Sequence, residues 1–487
     1  MKAQVGQPSG ASRLCLSCHD GILAMSKLRV MPQGMLSSLG PLTGKASLGT
    51  DLSRDHPVSF IYNSALALSK EDLVDPVALP PTAPLEDGQM QCSSCHDPHE
   101  DRIANFLRID PRSGAACTVC HRPHYWRDSS HATSPETWHG GAEEPWPKDG
   151  FATVGENACL SCHRVHGAAH AEHLLAQDIE ENNCTICHNG MLARANIQQE
   201  FFKPSRHPVE SRQWTHDEAE DPLSMPRHVT CVDCHNPHAA KASAKSESFG
   251  SSSQATMVPG AIREVSGVTM GGVGAKVAAF EYEICFKCHG LAEPTTRGIL
   301  RCEVTRNIRL KVNPNNPSYH PIAAPGRNPR VLGLTPPYTL SSLLSCTDCH
   351  NNDQWTPGES APRGPHGSRF EPILQMEYET VDPSPESYSS YALCYKCHNR
   401  SSVLFSFGGF PHKQHVVDQR SSCAVCHDAH GSRRNPYLIN FMTVTELGNT
   451  VVRPSRSGRL EFDPGPGSGH GRCYLNCHGA EHNPRAY

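Results

Sequence analysis

The sequence predicts a mostly irregular fold: short helices and loops, with little β-structure, wrapped around embedded groups rather than around a core of the chain's own side chains. Three observations predict it. Apolar residues make up 37% and aromatic residues 6% of 487 positions, which is lean against the roughly 45–50% apolar share of ordinary globular chains. The 40 Pro and 38 Gly punctuate the whole length and forbid long regular elements. Finally, Cys-x-x-Cys-His occurs ten times, followed by one stretched Cys-x-x-x-Cys-His.

The thiol pairs are Cys15 and Cys18, Cys92 and Cys95, Cys117 and Cys120, Cys159 and Cys162, Cys184 and Cys187, and Cys231 and Cys234. They continue with Cys285 and Cys288, Cys346 and Cys349, Cys394 and Cys397, Cys423 and Cys426, and the stretched pair Cys473 and Cys477. Random placement of 23 Cys and 30 His would give less than one such motif. Two thiols spaced one turn apart can form thioethers to the two vinyl groups of a single porphyrin, and the adjacent imidazole then lies beneath the iron. Structural zinc would pair Cys-x-x-Cys motifs without needing a histidine after each. Iron–sulfur clusters use four cysteines at other spacings, and a disulfide scaffold needs no histidine at all. The motifs therefore imply eleven covalently attached haem c groups. Their proximal ligands would be His19, His96, His121, His163, His188, His235, His289, His350, His398, His427 and His478.

The haems supply the apolar surface that the composition lacks. A formal charge of −5 argues against nucleic acid, which requires a basic face. Haem propionates make the holoprotein more negative still, so partner surfaces should be basic. No stretch approaches 18 apolar residues, so no transmembrane helix is expected. Haem attachment of this kind takes place in an oxidising extracytoplasmic space. No apolar run follows Met1-Lys2-Ala3-Gln4, so an export signal is expected to have been removed or to be missing from this sequence.

A degenerate repeat organises the chain: a motif, then His-Pro-Val or His-Pro-Ile, then a second motif. Its copies lie at about 15–110, 184–240, 285–366 and 394–431, with haems three and four inserted at 117–166 and a terminal haem at 473–478. No linker is evident, so the chain reads as one unit. The Pro-, Gly- and Ser-rich stretches 243–274 and 313–337 read as irregular loops. Helices are expected at 174–183 and just after each proximal histidine, and strands only as a few short hairpins.

Nineteen histidines remain for eleven sixth positions, so every iron can be bis-histidine. His99, His124, His166, His238 and His430 each stand three residues beyond a proximal histidine. Such a residue lies on the same side of its own haem and can only reach a different iron, although His124 reads equally as a surface residue. In His56-Pro57, His207-Pro208 and His320-Pro321 the proline holds the preceding residue extended, which projects the imidazole stiffly from a loop. His131, His228, His366, His415 and His482 complete the candidate ligands. His170 and His173 share a face with His163, and one of them could ligate. Cys302, outside any motif, reads as a buried thiol in preference to a thiolate ligand.

The phrases at 15–21, 55–60, 91–99, 281–290, 345–351, 391–399, 421–431 and 473–479 resemble multihaem cytochromes c of the doubled Cys-x-x-Cys-His type. The resemblance implies electron transfer by proteins of the periplasm, of outer-membrane porin conduits or of the cell surface, some of them filament-forming. The expectation is a chain of low-potential bis-histidine haems serving extracellular electron transfer. Its partners would be redox proteins, terminal acceptors such as metal oxides, or further copies of itself in a filament. A periplasmic or porin-embedded conduit is the alternative. A multihaem reductase of nitrogen or sulfur oxyanions is the alternative of another class. It would need an open iron, whereas here ligands exceed demand and no motif ends in Lys.

Overall fold

The structure, a computed structural model, describes all residues except 1–3, 24–39, 140–149, 210–215, 218–219, 243–256, 292–298, 332, 357–360, 406–408, 466–470 and 487. Part of the expected loop at 243–274 thus falls outside the described residues. Most of the rest is turn and loop. The longest helices, α1 (Gly10–His19) and α2 (Glu281–His289), both end on a proximal histidine. Elsewhere the motif itself forms a single turn, as at Cys92–Cys95, Cys231–Asp233, Cys346–Asp348 and Cys423–Cys426.

Reciprocal capping explains the first three of these turns, whereas before Cys423–Cys426 the Ser422 amide donates to Asp382 Oδ1 at 2.8 Å. The residue before the first cysteine is the N-cap, and the third residue after it reaches back to the N-cap amide. Thr230 N donates to Asp233 Oδ2 at 2.7 Å, Ser345 N to Asp348 Oδ2 at 2.8 Å and Gln91 N to Ser94 Oγ at 3.1 Å. Helices therefore coincide with the motifs more than they follow them, although Arg400–Phe405 does follow His398. The helix expected at 174–183 is shifted to Glu180–Thr185, because His173 and Leu174 take left-handed conformations that stop the preceding turn.

Backbone contacts divide the chain into two units. The first takes in residues up to Arg194 and Pro237–Ala242; the second takes in most of 195–236 and the chain from 243 onward. Five motifs fall in the first and six in the second. Apolar side chains gather in small clusters beside motifs. In the first unit Phe60, Tyr62, Leu66, Ala67 and Met90 form one. In the second, Val268, Tyr282, Phe286 and Val312 form another against α2, and Tyr391, Tyr395, Leu404 and Val416 a third. Among the described residues no helix is long and apolar enough to cross a membrane.

Strands are mostly two-residue pairs. The end of the chain is richer in strand than the expected short hairpins. There β1 (Val452–Arg453) and β2 (Glu461–Asp463) pair with successive parts of β3 (Arg472–Cys477), and β4 (Ala480–Ala486) pairs antiparallel along it. The sheet packs Val452 and Leu475 against Ala424, Val425, Phe441 and Met442, so it buries one face beside the tenth motif.

Candidate haem sites

An imidazole nitrogen sits about 1 Å from its ring centre and a metal–nitrogen bond spans about 2 Å, so two rings on opposite sides of one iron have centres roughly 6 Å apart. Among the described residues, eight motif histidines face a second imidazole at that spacing. In the first unit His56 faces His121 at 6.3 Å, His166 faces His96 at 6.3 Å, His238 faces His163 at 6.1 Å and His131 faces His188 at 6.1 Å. In the second, His366 faces His235 at 6.0 Å, His207 faces His289 at 6.3 Å, His430 faces His350 at 6.1 Å and His412 faces His427 at 6.4 Å. The residues fit the group. Paired thiols stand beside an imidazole couple at the separation an iron requires.

The rings are held by their other nitrogen. His96 Nδ1 bonds Asn105 O at 2.8 Å, His163 Nδ1 bonds His173 O at 2.7 Å, His235 Nδ1 bonds Ala261 O at 2.9 Å and His427 Nδ1 bonds Tyr437 O at 2.8 Å. On the facing side, His131 Nδ1 bonds Pro237 O at 2.9 Å and His207 Nδ1 bonds Pro365 O at 2.8 Å. A carbonyl at Nδ1 fixes the tautomer and leaves the Nε2 lone pair free for a metal. Burial, helped by a neighbouring histidine in each case, lowers His238, His350 and His427 to about 4. These rings are therefore neutral, as ligation requires.

A repeated backbone device sets the facing residues. Arg206 pairs with Gly367 and Tyr319 with Gly431. The next backbone bonds run from His207 N to His366 O at 3.4 Å and from His320 N to His430 O at 3.2 Å. In the first unit His56 N bonds Val165 O at 2.8 Å, beside His166. Each staple thus brings a His-Pro histidine next to, or one residue from, a histidine downstream of a motif: His166 and His430 three residues beyond it and His366 further on. Glycine is required in the two staples of the second unit, since a Cβ on Gly367 would run into Glu200 O and one on Gly431 into Lys311 O.

Cysteines of successive motifs also lie together. Cys117 is raised first by a hydrogen bond with Cys159, and Cys346 first by one with Cys285. Burial raises Cys120 to about 11 and Cys187 to about 12, and the nearby Cys95 and Cys162 add to each. Burial likewise raises Cys394 to about 12 and Cys426 upward, with Cys423 beside the first and Cys477 beside the second.

The first motif follows this pattern through its first cysteine. Burial raises Cys15, and Cys92 of the second motif adds to that by charge and by a hydrogen bond, ahead of the smaller effect of Cys18. Cys15 thus turns toward the next motif, whereas the Cys18 thiol is half-buried with its Sγ 4.0 Å from Ser17 Oγ. The pairing of Cys15 with Cys18 on one haem therefore rests on their spacing along α1. The imidazole expected to complete that haem is not seen either: among the described residues no second ring faces His19, whose Nδ1 bonds Ala46 O at 2.7 Å. The physical reason is position. α1 lies at the start of the chain, packed against the second motif through Ser12, whose hydroxyl donates to Gln91 Oε1 and accepts from Cys92 N at 3.0 Å. One side of α1 is thereby covered, and His19 is left exposed with Cys18 half-buried beside it.

Comparison with known proteins agrees with this chemistry. The family model described as "Doubled CXXCH motif" matches residues 152–193, which hold the motifs at Cys159 and Cys184. The chain is 26% identical over 160 residues to a protein named multiheme cytochrome MtrA from Shewanella baltica (strain OS185). The chain is a multihaem c-type cytochrome. The aligned region covers 31% of this cytochrome and 36% of that protein, so the chain spans about a third of the length of the relative it matches. No solved structure matches it.

The cytochrome's remaining candidates are placed as follows. His99 is 90% exposed and its Nδ1 lies 3.2 Å from Asp97. The ring of His124 packs tilted against that of Tyr125, their centres 4.1 Å apart. His320 Nδ1 bonds Ala429 O, and His170 Nδ1 bonds Glu172 O at 3.3 Å. His173 lends its carbonyl to His163. Cys302 packs against the Ala424–Met442 cluster. His228 faces no motif histidine among the described residues; its ring lies 6.1 Å from that of His216. His412 was not singled out from the sequence. It stands three residues before His415, and the ring of Phe410 touches both, at 4.9 and 4.6 Å. At the end of the chain His415 faces His482 at 6.3 Å, whereas His478 Nε2 lies 2.9 Å from Asp382 Oδ2.

Proposed function

We propose that this cytochrome is an electron carrier holding eleven haems in an unbroken series, each ligated by two histidines. The observation that carries this reading is the set of eight motif imidazoles faced by a second imidazole near 6 Å. Each bound haem iron supplies one-electron redox chemistry. The facing pairs supply two nitrogen ligands to an iron, which favours low potentials. The chain also lines up the cysteines of consecutive motifs within each unit, which supports a series in motif order.

Two ligand assignments extend the observed pairs. In each staple the histidine downstream of a motif serves one iron and the His-Pro residue the next: His166 serves His96 while His56 serves His121, and His366 serves His235 while His207 serves His289. The third staple gives His430 to His350, so His320 goes to His398. The terminal haem, on Cys473 and Cys477, takes His415 and His482. Two residues four apart on a strand point to one side of it, so the extra residue of the stretched motif suits β3 as a three-residue spacing suits a helical turn.

We place the cytochrome outside the cytoplasm, at the cell surface or beyond it, passing electrons to redox proteins or mineral acceptors, with assembly into filaments as the route to length. The intact mass of the holoprotein tests the reading directly. Eleven haem increments and low-spin c-type spectra are expected. A count below eleven strikes out a motif, and several high-spin irons would favour an enzyme. Negative-stain images of native material distinguish filaments from single particles.

A further inference from the structure

Outside the motif imidazoles, His216, Glu220 and His228 bring three ligand atoms within 4.8 Å of one another, beside Asp233. His228 Nε2 lies 3.4 Å from Glu220 Oε2 and 3.7 Å from Asp233 Oδ2, and His216 Nδ1 lies 3.6 Å from Asp233 Oδ1. The His228 and Asp233 side chains are only 7% and 6% exposed. Glu220 Oε2, His228 Nε2 and Asp233 Oδ1 are all buried without a hydrogen bond. Several buried polar atoms aimed at one another without bonds are costly unless something sits among them.

We propose that this cluster is a non-haem site for a divalent transition-metal cation of the zinc type. Donor atoms around a tetrahedral ion with bonds of about 2 Å lie about 3.4 Å apart, close to the spacings seen. Two imidazoles with carboxylates suit zinc and its neighbours, whereas magnesium and calcium favour all-oxygen shells. His228 is set up as a ligand, since its Nδ1 bonds Pro226 O at 2.8 Å and its Nε2 turns into the cluster. The carboxylates crowd that nitrogen where a porphyrin would have to lie, so the His216–His228 couple is not a haem pair. Glu220 and Asp233 carry two negative charges against Lys287, whose Nζ is 3.9 Å from Asp233 Oδ1, which leaves a net negative charge to hold the cation.

The site is tied to two haem motifs. Asp233 Oδ2 caps the turn of Cys231–Asp233, and Lys287, from the next motif, donates to Asp233 O. The same frame recurs at Asp348, which caps Ser345 and receives Lys396 Nζ on its carbonyl at 2.8 Å. There the counterpart of His228, three residues before the first cysteine, is the buried Leu343. The metal donors have been added to one copy of a shared frame. A bound cation would raise the potentials of the haems on Cys231 and Cys285, because positive charge favours the reduced iron.

The test titrates chelator-treated holoprotein with Zn²⁺ against a chromophoric competitor, for the native chain and for His228→Ala and Glu220→Gln. One zinc per chain is expected, weakened at least tenfold in either variant, with haem content and the low-spin spectrum unchanged. Voltammetry of the native chain should show an upward shift on zinc addition that His228→Ala lacks. Equal zinc binding by native and variant chains would overturn the proposal. So would the loss of a low-spin haem in His228→Ala, which would make the couple a haem pair.

Discussion

His482 faces His415 at 6.3 Å across the end of the chain, while His478, directly after Cys477, gives its Nε2 to Asp382. Leu475 and His482 are paired across β3 and β4, so hairpin register rather than motif adjacency delivers this imidazole. His482→Gln should convert one iron from low to high spin, and His478→Gln should leave every iron low-spin. Electron paramagnetic resonance of the oxidised holoprotein reads this out. The reverse pattern would restore His478 as the ligand.

Replacing His320 by Met should raise the potential of a single haem while all covalent attachments survive, because only the sixth ligand changes. Film voltammetry together with intact mass measures both. A trace matching the native chain would remove His320 from the ligand set.

Gly367→Ala should break one staple. The added Cβ meets Glu200 O, a backbone atom that cannot swing aside, and overpacking of this kind costs about 1–3 kcal/mol. His207 and His366 should shift together, so two haems, those of His289 and His235, should change spin state or potential. An effect on one haem alone would show that the staple does not couple them.

Asp428 is buried beside Lys311, at 2.7 Å, and Arg301, at 3.7 Å. Although burial works against its charge, the bond to His430 and these two cations hold its carboxyl far below the usual range. Asp428→Ala strands two buried cations and should cost about 3–5 kcal/mol, read as an earlier denaturation midpoint. Because the folded-state value is depressed, the carboxylate's contribution is full above the unfolded value of about 3.9 and is lost only as pH falls below it. A midpoint equal to that of the native chain at pH 7 would dismiss the network.

The sequence by itself determined the cofactor chemistry and the irregular fold. Cys-x-x-Cys-His is a local arrangement whose two thiols and imidazole lie within one turn, so its geometry follows from spacing alone. The rule that His166, His238 and His430 must look to another motif's iron is equally local, and the structure faces them with His96, His163 and His350. Only the tertiary structure decided which imidazole meets which. His131 lies in sequence between the third and fourth motifs yet faces the fifth, and His412, which faces His427, follows its proline where the other repeats put the histidine first. It also set the ring of His228 6.1 Å from that of His216. Facing pairs form between residues as many as 131 positions apart, as at His235 and His366, and spacing along the chain carries no information about contacts made by loops closing over that distance.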